Sequence, residues 1–125
     1  MKNLLFLLFI FVFYSVGTIS QTDKAWKTTY TFSGNSNEDT DDFTIKSSKW
    51  RIVWSANKQY EDVYGGNFIV HLVDSDSEED LVINTIPSDE GTTIIRKKGT
   101  FYFKIMSFIT NWKMEIQEYQ TPKKK

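Results

Sequence analysis

Cysteine is absent from all 125 residues. There can therefore be no disulfide staple, no thiolate metal ligand, no cysteine nucleophile and no thioether lipid anchor. Histidine is nearly as scarce, with His71 standing alone. A zinc site built from several His or Cys ligands is excluded, and no G-x-S-x-G elbow surrounds any serine to make a triad around that one imidazole. An excess of one charge sign is missing too, since 15 basic residues face 16 acidic ones. That balance offers no global field for nucleic acid, and none is expected as a partner. No stretch after residue 25 sustains a helical period of apolar residues, so helical architectures drop out.

What is present begins at the amino terminus. Lys2 precedes the mainly apolar run Leu4–Val16, and the small or polar residues Gly17, Thr18, Ser20 and Gln21 then interrupt it. Charge followed by an apolar segment of this length is signal-peptide architecture, whereas a spanning helix needs roughly 20 apolar residues. Thr18 and Ser20 stand two apart, as the small residues of a cleavage site do, which places the cut between Ser20 and Gln21, with a cut after Gly17 as second choice. The expected organisation is a signal peptide over 1–20 and one domain over 21–125, secreted or periplasmic, with no membrane span in the mature chain. Without Lys2 the mature chain carries 14 basic against 16 acidic residues. A chain of about 105 residues buries roughly two-thirds of its unfolded surface, enough for one core without disulfides.

From Trp26 onward, runs rich in β-branched and aromatic residues alternate with Gly, Asn, Asp, Ser and Pro. Eight strands are expected: 26–32, 42–47, 49–55, 67–73, 81–86, 92–96, 100–106 and 111–118. Side chains alternate across a strand, so Trp50, Ile52 and Trp54 share one face, as do Phe101, Phe103 and Ile105, and Trp112, Met114 and Ile116. Phe43 with Ile45 begins a fourth inward stripe. The run Phe68–Val73 is apolar on both faces and reads as a central strand. Tyr64–Asn67, Pro87–Gly91 and Lys97–Gly99 carry turn chemistry, and each is expected to join antiparallel neighbours. The fold class is all-β, a single antiparallel sandwich of jelly-roll type.

Candidate chemistry lies in loops and on outward faces. Asn35, Asn37, Asp39 and Asp41 alternate oxygen ligands along one loop, and Asp74 and Asp76 open a second acidic segment, Asp74–Asp80. Calcium takes six to eight oxygens, so these residues are candidate calcium ligands, weighed against plain solvated turns; no other cofactor is expected. Tyr60, Tyr64 and Tyr102 present flat rings able to stack on a sugar or anchor a protein. Arg51, His71 and Tyr102 share an outward register and form a candidate binding patch. The basic tail Lys123–Lys125 reads as a solvated end.

The segments Phe43–Ser47, Lys49–Trp54, Gly66–Val70, Lys98–Ile105 and Asn111–Ile116 together resemble a pattern found in uncharacterised secreted proteins and lipoproteins of bacteria. The resemblance implies a small jelly-roll sandwich, loosely similar to CUB-type domains though without their disulfide cysteines. The resulting expectation is a secreted, non-catalytic binding module whose ligand is a carbohydrate, the cell envelope or a protein. The alternatives are a small secreted hydrolase using a carboxylate pair and a purely structural or inhibitory extracellular protein. Oligomeric state stays open.

Overall fold

The computed structural model describes residues 25–121, so the signal-peptide expectation for 1–20 and the basic tail at 123–125 lie outside the described residues. Among the described residues nine strands run in chain order: β1 (Trp26–Gly34), β2 (Glu38–Asp39), β3 (Phe43–Ile45), β4 (Trp50–Lys58), β5 (Asn67–Asp74), β6 (Glu79–Thr85), β7 (Asp89–Ile95), β8 (Gly99–Phe108) and β9 (Thr110–Tyr119). The eight expected runs are all strands, with no end moved by more than three residues. The short β2 is added because Asp39, across from Lys104, joins the ladder of β8 before any apolar pattern announces it. Among the described residues there is no helix long and apolar enough to cross a membrane.

Two antiparallel sheets face each other, one in the order β1-β9-β4-β7 and the other β2-β8-β5-β6, with β3 continuing the β2 edge along β8. With β2 and β3 counted as two halves of one strand, this is the eight-stranded jelly-roll order. β5 lies inside its sheet, between β8 and β6, as its two-sided apolar pattern requires.

The three turn clusters do not behave as expected. β4 to β5, β6 to β7 and β7 to β8 each cross from one sheet to the other, so Tyr64–Asn67, Pro87–Gly91 and Lys97–Gly99 join strands that are not hydrogen-bonded neighbours. Turn residues report that the chain reverses; they carry no information about which sheet the next strand enters. Asp89 and Gly91 in fact pair with Ala56 and Trp54 as part of β7. Among the described residues, the one link between consecutive, paired strands is the acidic segment between β5 and β6. There the Asp74 carboxylate accepts hydrogen bonds from the amides of Asp76 and Glu78 at 2.9 and 3.0 Å. Ser77 takes a φ of +65° to complete the turn.

Between the sheets, the inward stripes meet as the alternation demands. Trp50, Ile52, Phe101, Phe103, Ile105, Trp112, Met114 and Ile116 are buried, together with Phe43, Phe68, Val70 and Leu72. Trp50 packs against Phe43 and Phe101 at ring centroid distances of 5.9 and 5.7 Å, and Phe68 stacks on Trp112 at 5.7 Å. Burial strips the Trp50 indole N–H of water, and it donates instead to the Lys97 carbonyl at 2.8 Å. Truncating such a ring to alanine costs about 3–5 kcal/mol. Trp54 is only partly buried, because it sits beside the edge strand β7.

Candidate functional site

Topology fixes which loops are neighbours. β4 pairs Lys58 with Thr110 and Ala56 with Asp89, and β1 pairs Gly34 with Trp112. The links at 35–37, 59–66, 86–88 and Ile109 therefore all lie at the same end of the sandwich. The strand orders set them side by side as four crossings from sheet to sheet. The links at 46–49, 75–78 and 96–98 lie at the opposite end.

The crossing end gathers exposed apolar side chains. Of the eight large hydrophobic residues exposed among the described residues, five belong to it: Tyr60, Val63, Tyr64, Ile86 and Phe108. Tyr64 is 84% exposed and Phe108 63%. The loops beneath them are tied together. The Gln59 amide donates to the Ile109 carbonyl at 3.2 Å, and Lys58 sets its ammonium 4.4 Å from the Tyr64 ring centre. Gly66, at φ +94°, passes so close to the corner that an added Cβ would lie 2.7 Å from the Phe108 carbonyl oxygen. Glycine is required there both by the backbone and by the space. Glu61 and Asp62, both exposed, stand between the two tyrosines. Tyr60 and Tyr64 were legible as candidates in the sequence. Phe108 and Ile86 read as ordinary strand-end residues, and only the sheet crossings bring them alongside.

The candidate patch of Arg51, His71 and Tyr102 divides. His71 and Tyr102 share the outer face of the β5–β8 pair, His71 opposite Lys104 and Tyr102 opposite Val73. Arg51 is on the outer face of the other sheet, across the whole sandwich from them. Its guanidinium lies 4.1 Å above the Trp26 ring, and its Nε donates to the Gln117 side-chain oxygen at 2.7 Å. Alternation tells outward from inward, and two sheets have two outward faces.

The candidate calcium ligands are likewise dispersed. Asn35 and Asn37 belong to the crossing end, whereas Asp74 and Asp76 belong to the opposite end, so the two groups share no ion. Asn37 spends its side-chain oxygen on the Ser107 amide at 2.7 Å. Asp39 is inside β2, with Asp41 in the link to β3. Asp74 is held by Lys97 at 2.9 Å besides its two amide bonds. The Lys97 hydrogen bond is the largest cause that keeps the Asp74 carboxyl below its ordinary value, the Glu78 amide adding to it against some desolvation. Among the described residues, no three His, Asp or Glu side chains converge as a metal site.

Hollows open on the flanks of the described residues. One, of about 350 Å³, joins Tyr102 with Asp42, Asp74, Ser75, Ser77 and Thr100. Another, of about 430 Å³, opens between the edges β1 and β3. Its wall includes Glu118, the fourth inward position of the β9 stripe after Trp112, Met114 and Ile116. A carboxylate continuing an apolar stripe was the available sequence signal for this place. One Glu118 oxygen accepts from the Lys46 and Ser47 amides at 3.0 and 3.1 Å.

No protein-family model matches the chain, and no curated protein matches it significantly.

Proposed function

We propose that the chain is an extracellular, non-catalytic binding module that holds a protein partner against the crossing end of its jelly roll. The observation that carries this reading is the gathering of Tyr60, Val63, Tyr64, Ile86 and Phe108 on adjoining loops. Contiguous exposed apolar surface rimmed by polar groups marks interaction sites, and aromatic side chains dominate the energy of such contacts. Aliphatic Val63 and Ile86, at the same end as the tyrosines, favour a protein surface over a sugar, which stacks on rings alone. Around the tyrosines Glu61 and Asp62 outnumber Lys58, a balance that suits a partner bearing Lys or Arg around an apolar centre. The amino-terminal signal pattern and the resemblance to small secreted bacterial jelly rolls support a secreted or periplasmic setting.

The experiment is a binding screen of the purified protein against extracellular proteins, glycans and envelope fractions, run beside the triple variant Tyr60→Ser, Tyr64→Ser, Phe108→Ser. A protein ligand that the triple variant no longer holds is the expected result. A glycan ligand, or a protein bound equally by both, contradicts the reading.

A further inference from the structure

We propose that the hollow between β1 and β3 is a separate binding site for a singly charged sugar acid, a uronate. No backbone ladder joins β1 to β3 along this side, and side chains bridge the two sheets instead. The contact nearest the gap is the Tyr30 hydroxyl, 3.3 Å from both the amide and the carbonyl of Thr44. β1 slips register between Thr28 and Tyr30, which breaks the edge where the gap opens. The resulting space of about 430 Å³ falls within the range of small-molecule sites, about 300–1,000 Å³.

Its lining is chemically specific. Lys27 and Lys46 both border it, and among the described residues neither enters an ion pair. Glu118 uses one oxygen for the two backbone amides. Its other oxygen takes no hydrogen bond among the described residues, and no buried side-chain oxygen there is left sealed and unpartnered, so that atom keeps accessible surface on a residue that lines the gap. Thr29 and Ser47 complete the rim; their hydroxyls donate to the Ile116 and Tyr119 carbonyls, at 3.4 and 3.0 Å, and keep their oxygens as acceptors. Two lysines and one glutamate sum to one formal positive charge, which a single carboxylate neutralises. A dianion would meet Glu118 at close quarters, and a neutral sugar would leave both ammonium groups unanswered. The sugar hydroxyls, as donors, suit the second Glu118 oxygen and the Thr29 and Ser47 oxygens, three acceptors that a simple carboxylate such as acetate leaves unused.

The test is a titration of the purified protein with sodium glucuronate, followed by amide NMR shifts at Lys46, Ser47 and Gln120. Glucose and acetate serve as parallel probes. Saturable shifts are expected with glucuronate, with glucose and acetate each at least about tenfold weaker, the scale of one lost charge-assisted hydrogen bond or of the unmade hydroxyl bonds. The double variant Lys27→Ala, Lys46→Ala, at two exposed positions, is expected to weaken glucuronate about tenfold or more while its other amide shifts keep the native pattern. The triple variant at Tyr60, Tyr64 and Phe108 is expected to bind glucuronate as the parent does, which separates this site from the loop end. Absence of saturable shifts, equal response to acetate or to glucose, or indifference to the lysine variant overturns the assignment.

Discussion

The indole of Trp54 lies over Gly91, its partner across β4 and β7, so closely that a methyl group on Gly91 would stand 2.6 Å from the ring. The mirror arrangement occurs at the other edge, where a methyl on Gly34 of β1 would stand 2.7 Å from the Trp112 ring of β9. Each edge strand of this sheet thus gives up a side chain to seat the tryptophan of its inner neighbour, and the ring in turn covers the bare backbone. Gly91→Ala is expected to destabilise the fold by about 1–3 kcal/mol through overpacking. Urea unfolding of Gly91→Ala, Trp54→Leu and the double variant checks the cause. The cost of the added methyl should shrink once the ring is gone, and an unchanged cost would place its origin elsewhere.

Lys97 closes the opposite end of the sandwich, with its ammonium 2.9 Å from Asp74 and 3.7 Å from Asp80. The pairing holds the Asp74 carboxyl below its ordinary value and the Lys97 ammonium above its own. Stability from Asp74 is complete above the unfolded carboxyl value, about 3.9, and is lost as pH falls through the lower folded value. Stability from Lys97 is complete below the ordinary lysine value and is lost as pH rises through the higher folded one. Lys97→Met is therefore expected to be less stable than the parent near neutrality. At a second, strongly acid pH the gap should narrow, because Asp74 takes up its proton as pH falls through its lowered folded value. Denaturant unfolding at the two pH values measures this, and a gap that stays constant into acid contradicts it.

Calcium is expected to leave thermal stability unchanged. Asn37 and Asp74 already spend side-chain oxygens on backbone amides, and the two loops point from opposite ends. A native-state ion would raise the melting temperature by mass action, so a scan with and without millimolar calcium decides the matter. An upward shift would return one of the loops to the list of metal sites.

The sandwich was legible because its core obeys a period of two. Trp50, Phe101 and Trp112 with their alternate neighbours announce an inward face wherever they occur, and the structure buries them as that rule requires. Sheet membership was not legible. Pro87–Gly91 and Lys97–Gly99 have the composition of tight turns and are sheet crossings, because a reversal of direction is local chemistry and the choice of sheet is set by long-range pairing. The candidate sites divide along the same line. Tyr60 and Tyr64 stand in a loop rich in turn residues and could be named from sequence. Phe108 joins them only through the jelly-roll order, and Arg51 parts from His71 and Tyr102 for the same reason. Glu118 was visible as a break in an apolar stripe, but the gap it lines between β1 and β3 depends on β9 meeting the segment after β3 from 72 residues away, as in its bond to Lys46.

The claim that the crossing end is the contact surface is tested most directly by placing a photo-cross-linking amino acid at Tyr64 and, as a control, at Thr31 on the outer face of β1, then irradiating the protein with extracellular and envelope fractions. The account predicts one discrete protein adduct from position 64, absent from position 31 and lost when Tyr60→Ser and Phe108→Ser are added. No adduct from position 64, or the same adduct from both positions, would contradict it.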